Sequence, residues 1–265
     1  MTPVTLITGA SAGLGAELAR VFARNGHTLV LVARRKERLA ALAAEIAASG
    51  KPEPMVLAID LSLRDAVARI SDALTANDLE PQYIVNNAGF GLIGQAAELD
   101  RSEQSNMIDL NVRTLTELSL AFIDALAHQR GGVLNVASVA GFLPGPGMAV
   151  YYATKAYVLS FSEALHRELA PRGVRVTCLC PGPVETEFSA RAGATERKAP
   201  AFLSLSAARV AKAGYRGLMR GQRLVVPGLA NKVVSFLPRI VPRPLLLSVL
   251  AKRQKRRASS PAPRT

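Results

Sequence analysis

Residues 4–26 read VTLITGASAGLGAELARVFARNG. A β-branched run (4–8) leads into a glycine-rich turn, TGASAGLG (8–15), and then into helically spaced apolar residues (14–26) that stop at Gly26. Gly9, Gly13 and Gly15 let the backbone come close to a ligand. The N-terminus of the following helix offers free N–H groups to a pyrophosphate. The spacing is Gly-x-x-x-Gly-x-Gly. It departs from the commoner Gly-x-Gly-x-x-Gly fingerprint, because Leu18 stands where its third glycine would be. Strand, turn and helix together point to a nucleotide site.

Outward from this unit, strand-like and helix-like segments alternate. Strands are expected at 28–33, 53–60, 82–89, 131–138, 173–182 and 222–228, and helices at 35–50, 62–76, 102–128 and 150–171. The strands are continuous apolar runs, as when both faces of a sheet are covered. The pattern predicts an α/β fold, a doubly wound parallel sheet with helices on both faces. After Gly228 the texture changes, and Pro238, Pro242 and Pro244 break the chain into short helices. This divides it into a catalytic body, 1–228, and a helical extension, 229–265, whose final dozen residues are expected to be disordered.

The chain has 265 residues, 49% hydrophobic and 20% charged, a globular composition. Its net charge of +13 is unevenly spread. Residues 1–190 carry 16 Lys+Arg and 19 Asp+Glu, a net of −3. Residues 191–265 carry 17 basic residues and only Glu196 on the acidic side, a net of +16. That excludes a nucleic-acid footprint over the whole body and leaves a basic appendage. The start reads as a strand and not as a signal peptide, which implies a cytoplasmic protein. Cys178 and Cys180 alternate along a strand and read as small buried hydrophobes in a reducing compartment. His27, His128 and His166 follow no ligand spacing; they read as surface residues, and no metal is expected.

The second strand ends LVARRKER. An NAD-binding site often carries an acid at this place, to hold the ribose 2′-hydroxyl. Here Arg34 and Arg35 stand there instead, and a guanidinium can bind a 2′-phosphate bidentately. A cation at a helix start is also the wrong sign for the macrodipole, which suggests that it serves a ligand. NADP(H) is therefore expected as cofactor, with NAD(H) as the alternative.

The stretch YYATK (151–155) places a phenol and an ammonium one helical turn apart, with Tyr151 and Tyr152 both open as the partner of Lys155. Together with TGASAGLG, NNAG (86–89) and PGPVET (181–186), this stretch resembles the short-chain dehydrogenase/reductase family, over roughly residues 3–228. The resemblance implies a Rossmann-like fold and an NADP(H)-dependent interconversion of a carbonyl and its alcohol. By count it selects Tyr151 as general acid/base, with Lys155, Ser138 and Asn111 completing a tetrad and Tyr152 left as a packing residue or pocket wall. It implies that Lys155 lowers the Tyr151 pKa. Implied cofactor contacts are Gly9, Ser11, Gly13, Leu14 and Gly15 in the turn, Arg34 and Arg35, Asp60 and Leu61, Asn87, Ala88 and Gly89, Tyr151 and Lys155, and Pro181, Gly182, Val184 and Thr186. It also implies a homodimer or homotetramer built on the helices 102–128 and 150–171.

Apolar segments 90–96, 142–150 and 188–206 are expected to wall the substrate site. They carry Phe90, Leu92, Phe142, Leu143, Met148, Phe188 and Phe202, which implies a hydrophobic carbonyl or alcohol. The stretch PLLLSVLAKRQKRR (244–257) is apolar and then basic. It reads either as a helix packed on the enzyme's own body or a sister subunit, or as a weak contact with the inner membrane face. The alternative class is a non-catalytic NADP(H)-binding regulator or membrane-docked redox sensor with the same fold. The complete tetrad argues against it.

Overall fold

Seven parallel strands form one sheet in the order β3-β2-β1-β4-β5-β6-β7. They are β1 Thr2–Thr8, β2 Leu29–Ala33, β3 Met55–Ala58, β4 Leu79–Asn86, β5 Gly132–Val136, β6 Arg175–Leu179 and β7 Leu224–Val225. The computed structural model describes residues 1–184, 200 and 202–258, with the backbone alone for 252–258. The helices are α1 Gly13–Arg24, α2 Lys36–Ala48, α3 Ala66–Ala76, α4 Arg101–Ile108, α5 Leu115–Ala121, α6 Ile123–His128, α7 Ala149–Leu169, α8 Ala207–Met219, α9 Leu229–Phe236 and α10 Arg243–Ala258. The architecture is the expected single-domain doubly wound sheet.

Alternation along the strands sends side chains to two helical layers. Ile7, Leu29, Leu31, Val85 and Leu134 pack with α1, α2 and α8. Leu6, Val30 and Val32 pack with α3 and with Leu118 of α5, and Ile84, Val133 and Val176 with α6 and α7. Strand order reverses between β2-β1 and β1-β4. In open sheets of this kind the ligand crevice lies at that point, outside the carboxyl ends of the strands.

Two helical expectations are corrected. The predicted helix 102–128 is not continuous: a π-helical turn, Asp109–Thr114, follows α4, and Phe122 leaves helical geometry between α5 and α6. Single π turns often accompany functional sites, and this one contains Asn111. Helix α8 was not among the expected helices, and its Gly214 and Gly217 lower helix propensity. The structure gives their reason. A Cβ on Gly214 would lie 2.8 Å from Leu179 Cδ2, and one on Gly217 2.3 Å from Val225 Cγ2, so these glycines let the helix lie close to β6 and β7. Most strands are also shorter than expected, since the residues beyond Ala58, Asn86, Val136 and Leu179 leave the sheet to build the crevice.

A buried polar network fixes the helices that carry the site. Asn86 Nδ2 donates to Asn135 Oδ1 and Ser119 Oγ, both at 2.9 Å, and Asn135 Nδ2 donates to Ser162 Oγ at 3.0 Å. These bonds pin α5 and α7 to β4 and β5 in a low-dielectric interior, where each is stronger than in water. The histidine reading is corrected as well. Only His128 is exposed; His166 Nδ1 lies 2.8 Å from the Val176 carbonyl oxygen. His27 is half-buried between Phe22, Tyr83 and Tyr215, and burial lowers its pKa.

Candidate active site

The glycine turn closes against the end of β4. Gly9 has φ +66°, and a Cβ there would lie 2.8 Å from Asn87 Nδ2 and 2.9 Å from Ala88 Cα. A Cβ on Gly15 would lie 2.2 Å from the Gly9 carbonyl oxygen, so no larger residue fits. Thr8 Oγ1 accepts from the Asn87 and Ala88 amides, both at 3.0 Å, and Asn87 Nδ2 donates to the Thr8 carbonyl at 3.0 Å. Gly13 and Leu14 then open α1, whose N-cap, Ala12, supplies no side-chain cap. The first-turn amides are thereby left to an anion, as a dinucleotide pyrophosphate requires. The donor chemistry and the glycine cradle fit that group.

At the rim, Arg35 Nε and Nη2 donate to Ser11 Oγ at 3.3 and 3.2 Å, and Arg34 pairs with Asp60 at 3.7 Å. Asp60 Oδ1 accepts from Ser62 N and Oγ, and Leu61, beside it, is buried. Ser11, Arg34, Arg35 and Asp60 therefore form one cluster at the ends of β1, β2 and β3.

The four tetrad candidates converge on the ends of β4 and β5. Tyr151 and Lys155 lie in the first turns of α7, and both are buried. The Tyr151 hydroxyl is hydrogen-bonded to the Ser138 side chain. Lys155 Nζ donates to the Val136 carbonyl at 2.9 Å and sits 6.0 Å from the centroid of the Tyr151 ring. Asn111 Oδ1 accepts from Phe90 N at 3.1 Å, and its Nδ2 donates to Phe90 O at 2.9 Å and Thr154 Oγ1 at 3.1 Å. A Cβ on Gly89 would lie 2.8 Å from Asn111 Oδ1 and 3.6 Å from Lys155 Nζ, so the end of the NNAG segment lies against both. The Tyr152 ring packs on Gly145 and meets the Tyr151 ring edge-on, with centroids 6.1 Å apart.

The electrostatics differ from the expected lowering of the Tyr151 pKa. Burial pushes the phenol up to about 12, against the opposing Ser138 hydrogen bond. Burial likewise pulls Lys155 down to about 8, while the nearby Cys178 and Cys180 thiols act the other way. Desolvation is the largest cause of both shifts, each of which disfavours the charged form. The two free thiols lie 3.6 Å apart, both buried.

Pro181 joins the site through its carbonyl, which accepts from Val139 N at 2.9 Å and Ser138 Oγ at 3.4 Å. Val184 bridges Leu205, and Gly182 lies against the buried Asn231. Thr186 and Phe188 lie outside the described residues, and Phe202 is exposed. Around Tyr151, Phe90, Met107 and Ala140 form a buried apolar cluster with Leu92, Met148 and Tyr152 packed on it. Sequence reasoning missed Thr154, Thr8 and Asn231. The first lies inside the YYATK stretch itself and the second immediately precedes Gly9; Asn231 gave no local signal.

Comparison with known proteins gives a consistent result. The family model described as short chain dehydrogenase matches residues 3–197. A sulfoacetaldehyde reductase of Chromohalobacter salexigens is 41% identical over 192 residues, 71% of this chain and 75% of that protein. A short-chain dehydrogenase from Sphingobium yanoikuyae, solved with NADPH, is 32% identical with a TM-score of 0.78, covering 99% of this chain and 98% of its own. The bulky-bulky ketone specific alcohol dehydrogenase from Comamonas testosteroni is 28% identical with a TM-score of 0.75, covering 100% and 97%. With the motifs, the sheet and the site in agreement, the chain belongs to the short-chain dehydrogenase/reductase family, oxidoreductases acting on CH–OH and C=O groups.

Proposed function

We propose that this protein is an NADP(H)-dependent reductase or dehydrogenase for a bulky hydrophobic ketone or aldehyde and its alcohol. The observation that carries the substrate class is the apolar cluster of Phe90, Met107, Ala140 and Tyr151, with Leu92, Met148 and Tyr152 packed on it, around the proton-donating hydroxyl. The Sphingobium and Comamonas enzymes match this chain over 99% and 100% of its length, C-terminal extension included, and the latter's name specifies bulky ketones.

The cofactor would lie across the glycine turn, held by the α1 amides, Ser11, Arg34, Arg35, Asp60, Leu61, the 87–89 segment and the 181–186 segment. A bound nicotinamide supplies or accepts the hydride. Ser138 holds the substrate oxygen beside Tyr151. Tyr151, kept protonated by burial, donates its proton to that oxygen in reduction, help typically worth about 10²–10⁴ in rate. Lys155 sits at the base of the site, held by Val136. The Asn111 side chain spends its groups on Phe90 and Thr154, so any water relay toward Lys155 falls to its main-chain carbonyl.

We read residues 1–228 as the catalytic body and 229–265 as an extension, in a cytoplasmic homodimer or homotetramer. Exposed Ile108, Leu120 and Tyr157, on the helices expected to pair, support that assembly. The test is oxidation of NADPH and of NADH by the purified protein, with bulky aryl ketones, long-chain aldehydes and sulfoacetaldehyde offered side by side. Preference for sulfoacetaldehyde overturns the substrate class, and preference for NADH overturns the cofactor.

A further inference from the structure

Helix α9 is anchored on one side and bare on the other. On the anchored side Asn231 is 1% exposed, and its Nδ2 donates to Pro227 O at 2.9 Å and Leu203 O at 3.2 Å. On the bare side Leu229, Val233 and Phe236 follow at i, i+4 and i+7, a single helical face, and all three are exposed. Ile240 continues the exposure, and Leu245 and Val249 extend it one turn apart on α10. A large aliphatic face held outward by a fixed helix is unusual on a monomer and marks a docking surface. Leu245 does not pack on the enzyme's own body, which leaves a sister subunit or a membrane surface, of the expected alternatives, to cover it.

The charge of the same region indicates what covers the face. Residues 206–258 carry thirteen Lys+Arg and no acidic residue, and five of the cations (Lys252, Arg253, Lys255, Arg256 and Arg257) fall in the last turns of α10. A second copy docked face to face would set these cations against one another, because a two-fold contact pairs a patch with itself. Among the described residues no helix is long and apolar enough to cross a membrane. A short apolar face continued by a run of cations instead suits a helix lying in the plane of an anionic interface. We propose that the α9–α10 face docks this protein on an anionic lipid surface, with Val233, Phe236, Ile240, Leu245 and Val249 entering the acyl boundary and the terminal cations meeting the headgroups.

Each cation near such a surface contributes roughly fivefold in binding, and salt screens that part. The experiment is co-sedimentation of the full chain with phosphatidylcholine vesicles containing about 30% phosphatidylglycerol, against phosphatidylcholine alone, at low salt and at about 0.5 M NaCl. The expected result is binding at least about tenfold stronger to the anionic vesicles, most of it lost at high salt. It should also be lost when the five cations become Gln, and when Val233, Phe236, Leu245 and Val249 become Ser. Both variants change exposed or terminal positions, and thermal melting checks that they fold. Absence of sedimentation overturns the proposal. So does a Ser variant that sediments like the wild type, since charge alone is then responsible. A wild-type native mass that falls in the Ser variant, without vesicle binding, assigns the face to a second copy.

Discussion

The Lys155 ammonium donates to the Val136 carbonyl at 2.9 Å, two residues before Ser138 on the same stretch of chain. This bond ties the first turns of α7 to the end of β5. It thereby sets the spacing between Ser138, at the strand end, and Tyr151, one turn before the lysine. Ser138 is held from its other side by Pro181, after β6, so two strand ends and the head of α7 converge on one hydroxyl pair.

Tyr151→Phe should lower turnover by at least about 10²-fold while leaving cofactor binding nearly unchanged, because only the proton donor is removed. Tyr152→Phe should retain most activity, since the hydroxyl bonded to Ser138 is that of Tyr151, while the Tyr152 ring packs on Gly145. Steady-state kinetics with binding measured by cofactor fluorescence separates the two. Activity surviving in the first variant and lost in the second would reverse the assignment.

The two arginines should not contribute equally to cofactor choice. Arg34 pairs with Asp60, whose charge repels a 2′-phosphate, and Arg35 donates to the Ser11 hydroxyl beside the glycine turn. Arg35→Ala should raise the KM for NADPH about tenfold or more, the worth of one charge-assisted hydrogen bond, and change that for NADH little. Arg34→Ala should have the smaller effect. Equal losses for both cofactors in both variants would show that neither guanidinium reads the phosphate.

The parts of the site legible in the sequence are those made by short stretches. Gly9 and Gly15 announce the turn because the Asn87 side chain, the Ala88 backbone and the Gly9 carbonyl leave no room for side chains there. The tyrosine and lysine announce themselves by helical spacing. What stayed hidden depends on long-range packing. Gly214 and Gly217 lower the helix propensity of α8 locally, and only their close contact with Leu179 and Val225 gives them a reason. The π turn at Asn111 is set by tertiary bonds to Phe90 and Thr154, not by local propensity. The rise in the Tyr151 pKa depends on how completely the fold closes over the phenol, a quantity that no motif encodes.

Asn231 exemplifies such a hidden contact, since 49 residues separate it from Gly182, which a Cβ would drive to 2.2 Å from its Oδ1. Asn231→Ala removes the donor serving Pro227 O and Leu203 O, and should cost about 1–3 kcal/mol through two unpaired carbonyls. Asn231→Asp should cost more, because a buried carboxylate then faces those carbonyls. Denaturant unfolding of the three proteins tests the ranking, and a stable Asp variant would contradict it.

Burial of Lys155 should leave a signature in the pH dependence of stability. Its pKa is about 8 in the fold against 10.5 for a free side chain. Below about 8 both states carry the proton, and the desolvation cost is fully present. Between the two values the unfolded chain holds a proton that the native protein has released, so stability rises with pH. Over the full interval the gain is on the order of 3 kcal/mol. Tyr151 acts in the opposite direction only above pH 10: the native phenol keeps its proton up to about 12 while the unfolded one loses it, and stability falls there. Comparison of the wild type with Lys155→Met therefore belongs between about pH 7 and 10. The Met variant loses the bond to Val136 at every pH, a constant offset. Superimposed on it, the wild type should gain on the variant steadily as pH rises, read from urea midpoints converted with a common m-value. A difference that stays flat across that range would mean that Lys155 keeps an ordinary pKa inside the fold.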